Sequence, residues 1–253
     1  MRLPERRYEC STDTQHVVNL SAYSWAMGIL RDVADMRVLD AACGAGYGGH
    51  AVAVRARSVV GVDRDLPTVR EARRRYRRPN LSFLPMDCEN MAFGDASFDA
   101  VLSFETIEHL DDDRRFLWEV TRVLPPGGWL VLSTPRAKAP GAVPDSPVHR
   151  REYTWDELHA LLAEHFQSVR FFGRRLGPRL AGLERELDGV RRFDPWGLRR
   201  FLPRGLRHGV GSLISRARGG IDLAEVTIAD VEYCEGLSVT STLLAVCHRK
   251  VGR

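Results

Sequence analysis

Three aspartates punctuate the first third of this chain, Asp40, Asp63 and Asp87, separated by 23 and then 24 residues. Each closes a short apolar run: Arg37-Val38-Leu39 before Asp40, Val59-Val60-Gly61-Val62 before Asp63, and Leu81 to Met86 before Asp87. A step of that size accommodates one strand, one crossover helix and one turn, the βαβ repeat of a parallel sheet. All three carboxylates then fall at the carboxyl edge of one sheet, where open α/β folds bind their ligands. The run Cys43-Gly44-Ala45-Gly46-Tyr47-Gly48-Gly49 follows the first of them. A glycine-rich turn beside three acids points to a nucleoside-like ligand whose reactive end is cationic rather than phosphorylated.

The alternation continues along the chain. Strands are expected near 36–40, 58–62, 81–86, 98–103, 128–133 and 168–172, and helices near 47–56, 66–77, 111–123 and 155–164. Val17, Val18, Leu20, Tyr23, Trp25, Met27 and Leu30 recur at roughly helical spacing and predict a leading helix over 14–33. Asp65 with Pro67, and Thr154 before Trp155, read as helix starts. Pro125-Pro126-Gly127-Gly128 stops a helix and turns the chain into a strand.

After Arg174 the pattern breaks. Residues 174–218 hold twelve arginines against four acids, a local +8 in a chain of net +4, interleaved with leucine, phenylalanine and tryptophan. This stretch reads as a helical cap, and Thr240 to Cys247 as a final strand. The expected organisation is an N-terminal helical lid over 1–34, an α/β core over 35–175, the arginine-rich cap over 176–235 and a last core strand over 236–253.

At 253 residues, 44% hydrophobic and 28% charged, the composition is that of a globular protein. No apolar run approaches the ~18 residues of a membrane span. Arg2, Arg6 and Arg7 are not followed by the apolar stretch of a signal peptide. The five cysteines, Cys10, Cys43, Cys88, Cys234 and Cys247, form no CxxC pair and are odd in number. Reduced thiols in a cytoplasmic protein are the expectation.

Val38-Leu39-Asp40-Ala41-Ala42-Cys43-Gly44-Ala45-Gly46-Tyr47-Gly48 resembles motif I of the class I S-adenosylmethionine-dependent methyltransferases. Asp63, Asp87, Phe98-Asp99-Ala100-Val101 and Val123-Leu124-Pro125-Pro126-Gly127-Gly128 resemble that family's later motifs, in order. The resemblance runs from about 35 to 175 plus the last strand. It implies a Rossmann-like α/β fold, mostly parallel and seven-stranded, with an antiparallel last strand and a helical cap. It implies S-adenosylmethionine as cofactor: the Gly44–Gly46 backbone against the methionine, Asp40 at its ammonium, Asp63 on the ribose hydroxyls and Asp87 on the adenine amine near the Cys88 amide. Ser103, Phe104 and Glu105 would line the methyl side, and Ala42 and Arg64 complete the cofactor set. A dinucleotide-binding alternative exists, because Gly44-x-Gly46-x-x-Gly49 and Asp63, 19 residues beyond Gly44, also match that fingerprint. Asp40 beside a pyrophosphate and Asp87 without a counterpart disfavour it, whereas a sulfonium and an ammonium are stabilised by those charges.

On the acceptor side, Phe104-Glu105-Thr106-Ile107-Glu108-His109-Leu110 would, as a helical turn, put Glu105, Glu108 and His109 at i, i+3 and i+4 on one face. With His149 further on, these residues can serve as a general base (His109 or His149, assisted by Glu108) or as ligands for a divalent metal. The pairing is similar to methyltransferases of ubiquinone-biosynthesis type and to metal-dependent small-RNA 2′-O-methyltransferases. In the latter, the resemblance implies Glu105, Glu108, His109 and His149 as the metal set. The cluster favours oxygen methylation, since a hydroxyl must lose a proton and an amine needs less help. The expected activity is O-methylation of a small molecule or glycan in secondary or surface-polysaccharide metabolism. The alternatives are metal-assisted RNA 2′-O-methylation and cofactor binding without transfer. The basic cap suits an anionic acceptor or peripheral membrane contact; nucleic acid ranks lower because no RNA-binding domain is appended.

Overall fold

Continuously apolar strands need cover on both faces, and the sheet observed here has it. The computed structural model describes residues 14–144, 146–177, 227–235 and 241–250. Among them the order is α1 (Thr14–Ile29), β1 (Arg37–Ala41), α2 (Tyr47–Val52), β2 (Ser58–Asp63), α3 (Leu66–Arg75), β3 (Leu81–Pro85), β4 (Ala100–Phe104), α4 (Asp113–Val123), β5 (Trp129–Pro135), α5 (Trp155–Ala163), β6 (Phe166–Leu176), β7 (Val231–Glu235) and β8 (Thr242–Arg249). The strands lie in one sheet in the order β3-β2-β1-β4-β5-β8-β6-β7. The pairs from β3 through β5 are parallel, and β8 runs antiparallel to both β5 and β6. The direction of winding reverses between β1 and β4, the crevice where such sheets take ligands.

Alternate residues of each strand feed two cores. Leu39, Ala41, Val62, Val101, Leu130 and Leu132 pack with Phe116, Leu117 and Val120 of α4 and Leu158 and Leu162 of α5. Val38, Val59, Ala100, Leu102 and Val131 turn the other way, onto Ala22, Tyr23, Ala26 and Met27 of α1 and Val52 of α2. Each such fully buried large side chain stabilises the fold by about 1.5–3 kcal/mol. The helices begin where expected: Asp65 accepts from the Thr68 amide at 2.9 Å, and Thr154 and Glu157 form a reciprocal capping box at α5.

Two features differ from expectation. The sheet has eight strands rather than seven, because Val231–Glu235, which falls inside the expected cap, is a strand at the sheet's edge. Its mostly exposed side chains follow no continuous apolar run, so it lacks the signal that revealed the inner strands. The leading helix stops at Ile29, and a 3-10 turn over Val33–Asp35 leads into β1. The chain divides into one unit of Leu20–Arg175 with Tyr233–Arg253 and another of Met1–Asn19 with Leu176–Glu232. Most of the expected cap, 178–226, and the first thirteen residues of the expected lid lie outside the described residues. No described helix is long and apolar enough to cross a membrane.

Candidate functional site

The glycine turn is shaped by what surrounds it. Gly46 sits at φ 81°, and a Cβ there would stand 2.8 Å from the Phe83 ring and from the Ala72 Cβ. Gly44, at φ 49°, faces open space within 4 Å, a cradle that a ligand can approach. Asp63 ties this loop to β2: one carboxylate oxygen accepts from the Gly44 amide and the other from the Asp65 amide, both at 2.9 Å. Asp87 is exposed and accepts from the Glu89 amide, with Cys88 buried behind it. Arg64 is exposed, and Ala42 takes a left-handed φ of 59° as the chain leaves β1.

Asp40 is 1% exposed. Its Oδ1 accepts from the Tyr23 hydroxyl at 2.9 Å, and its Oδ2 has no hydrogen-bond partner in good geometry. Burial pushes this carboxyl up to about 7, against the pull of the Tyr23 hydroxyl and the Gly49 amide. The Ser103 hydroxyl, on neighbouring β4, is also buried and unpartnered. Two orphaned polar groups at the carboxyl ends of adjacent strands fit a polar ligand that completes them.

Beyond β4, residues 107–109 form a 3-10 turn. Glu105 is not on it: at φ 52° it leaves β4 in a left-handed conformation, and its carboxylate accepts from the Ser133 hydroxyl at 2.7 Å. The expected helical face is therefore replaced by a smaller group. Ligand atoms of Glu108, His109 and His149 lie within 4.8 Å of one another, with Glu105 outside that group. Glu108 is fully buried; Thr134 donates to its Oε2 at 2.9 Å, while Oε1 has no hydrogen-bond partner and lies 3.9 Å from His109 Nε2. Burial, then the neighbouring Glu105, pushes the Glu108 carboxyl up to about 8.

Both imidazoles are oriented through Nδ1. His109 Nδ1 is 3.1 Å from the Val148 carbonyl and His149 Nδ1 is 2.7 Å from Glu152 Oε1. A carbonyl oxygen can only accept, so His109 Nδ1 carries a proton and, in the neutral ring, the lone pair lies on Nε2. The carboxylate imposes the same tautomer on neutral His149. The two rings meet edge to face with centroids 4.8 Å apart. The segment carrying His149 is clamped onto the turn: the Arg150 and Arg151 amides donate to the Glu108 carbonyl, and Asp113 accepts from Arg151 at 2.8 Å and the Tyr153 hydroxyl at 2.7 Å.

Sequence reasoning passed over four participants. Tyr23 reads in the sequence as one more apolar position on α1, and Glu152 as one residue of the segment after His149, with no role attached. Ser133 and Thr134 carried a visible signal, two hydroxyls in succession at the carboxyl end of a strand that is otherwise apolar.

A family model described as a methyltransferase domain matches residues 39–132. Over 210 residues the chain is 37% identical to a Mycobacterium tuberculosis protein named as a probable S-adenosylmethionine-dependent methyltransferase, a match spanning 77% of this chain and 68% of that one. It is 40% identical over 100 residues to a phthiotriol/phenolphthiotriol dimycocerosates methyltransferase of the same organism, 39% of this chain and 37% of the relative. Among solved structures it resembles a Thermotoga maritima protein described as a possible histamine N-methyltransferase, with TM-score 0.61, 17% identity and coverage of 94% and 92%. The [4+2]-cyclase SpnF is comparable, with TM-score 0.62, 17% identity and coverage of 98% and 86%. At those identities the structures speak for the fold alone.

Proposed function

We propose, for a chain that belongs to the S-adenosylmethionine-dependent methyltransferases, that it methylates a hydroxyl oxygen of a small-molecule or glycan acceptor. The observation that carries this reading is the His149–Glu152 pair, 2.7 Å apart, beside His109 and the buried Glu108. When bound, S-adenosylmethionine supplies an electrophilic methyl on a sulfonium that departs as a neutral thioether. Departure therefore needs no acid, and the chain's task is to align the acceptor and remove its proton. In this reading the Nε2 of His149 takes the proton of the attacking hydroxyl, and Glu152 stabilises the imidazolium that results. Support for an alcohol acceptor also comes from the relative named for phthiotriol, although the match covers a minority of either chain.

The test is to incubate the enzyme and S-adenosylmethionine with lipid, polysaccharide and metabolite extracts and look for a product one methyl heavier with a methoxy resonance. His109→Ala and His149→Ala are assayed alongside. Retention of turnover by both variants sinks the base assignment.

A second reading rests on the same cluster. Two imidazoles with occupied Nδ1 positions and a carboxylate with one unpartnered oxygen fit a divalent ion. Glu108, His109 and His149 would hold the ion, which would polarise an acceptor hydroxyl such as a ribose 2′-OH. Loss of turnover in EDTA, restored by a divalent ion, favours this version. Binding of the arginine-rich 174–218 stretch to RNA rather than to anionic liposomes would move the acceptor to nucleic acid. Tight cofactor binding with turnover on no acceptor would instead mark a binding protein built on this fold.

A further inference from the structure

Tyr23 lies on a helix outside every cofactor motif, yet its side chain enters the cofactor side of the site. The residue is buried, its ring packs edge-on against Phe104 with centroids 4.6 Å apart, and any Cβ at Gly48 would overlap it. Held this way, its hydroxyl donates to Asp40 Oδ1 at 2.9 Å and leaves Oδ2 as the only free oxygen of that carboxyl. The titratable groups that face Asp40 are Tyr23 from α1, Cys43 in the glycine turn and Asp63 at the end of β2, while Tyr47 of α2 faces Tyr23. None of these is a cation, and no ion pair with Asp40 exists among the described residues. A buried acid in acidic and phenolic company, with one oxygen unpartnered, is built to be neutral until a cation arrives.

We propose that Tyr23 is a positioning residue for cofactor capture, fixing the Asp40 carboxyl so that Oδ2 meets a cationic group of S-adenosylmethionine, and that capture expels one proton from Asp40 to solvent. The inference rests on the cofactor lying along the glycine turn. The balance is simple: the acid loses its proton, the carboxylate and the cation pair, and no other bond changes.

Burial holds the empty-site carboxyl near 7, so binding strengthens as pH rises towards that value and levels off above it. The cofactor's own α-ammonium titrates near 8 and acts in the opposite sense, which makes pH 5.5–7.5 the informative window. Calorimetric titration of the full chain with S-adenosylmethionine, in two buffers of different ionisation heat, is expected to show affinity rising about 20-fold across it. Close to one proton should be released per cofactor at the acid end.

Tyr23→Phe keeps the ring and removes the donor that favours the ionised form, moving the midpoint up by about one pH unit. The ratio of mutant to wild-type dissociation constants, which cancels the cofactor's own titration, should fall from about eightfold at pH 6.5 to below about twofold at pH 8.5. A merely structural role for Tyr23 predicts a ratio that does not move with pH. Asp40→Asn should bind weakly with a flat profile and keeps the test decisive if Tyr23→Phe unfolds. Wild-type affinity constant within about twofold from pH 5.5 to 7.5, or an Asp40→Asn slope equal to wild type, overturns the proton link while leaving the cofactor assignment standing. Failure to bind at any pH removes both.

Discussion

The glycine-turn half and the Glu108 half of the candidate site share one sheet edge but are built from different material. Around Gly44–Gly49 the working parts are backbone: two left-handed glycines, an amide held by Asp63, and carboxylates supplied by consecutive βα units. Around Glu108 they are side chains drawn from three segments far apart in sequence, residues 105–109, Ser133 and Thr134 on β5, and His149 with Glu152. The backbone cradle leaves no room for a Cβ at Gly46 or Gly48. The side-chain cluster works the other way, because each polar atom is placed by a second one, and a change in either partner is felt as chemistry rather than as shape.

The sharpest break in that comparison is Gly46→Val. A side chain at φ 81° that also meets Phe83 and Ala72 at 2.8 Å should weaken S-adenosylmethionine binding by ~1000-fold or more and lower the melting temperature. Unchanged binding in calorimetry would mean that the turn is not the cradle. His149→Ala should act on the other half alone, reducing kcat by ~10²–10³ with cofactor affinity within about twofold. Equal losses in both measurements would show that the two halves are one unit. Glu152→Gln keeps an oxygen near His149 Nδ1 but removes the charge; a loss of ~10-fold with a displaced pH–rate profile is expected, and an unmoved profile would make Glu152 a packing residue.

The smallest effect is on stability. Glu108 has its folded-state value raised to about 8, so between its ordinary carboxylate value and 8 the native chain holds a proton that the unfolded chain has released. Stability therefore falls as pH rises through that window. Glu108→Gln escapes this loss. Its melting temperature relative to wild type should climb by several degrees from pH 5 to 6.5, on the order of 2 kcal/mol. A constant difference across that range would mean that the carboxylate is charged and compensated in the fold.

Legibility in the sequence follows the same division. Asp40, Asp63 and Asp87 stood out because a parallel sheet repeats one unit per strand, so local spacing alone brings them to one edge. Gly46 stood out because a turn this tight excludes other residues. Glu105 was misplaced on a helical face, since its left-handed φ answers to the Ser133 hydroxyl across the β4–β5 pair, 28 residues away. The outer strand Val231–Glu235 went unseen because its mostly exposed pattern carries no continuous apolar run.

What the sequence determined by itself was the α/β fold, the family with its cofactor, and three acids at one sheet edge, because strand periodicity and turn sterics act over a few residues. Only the tertiary structure decided which carboxyl oxygens remain unpartnered, that both histidines turn Nδ1 away from the cluster, and that a tyrosine from α1 holds Asp40. Those outcomes depend on burial and on partners as far as 39 residues distant, and desolvation has no signature in the order of the residues it acts upon.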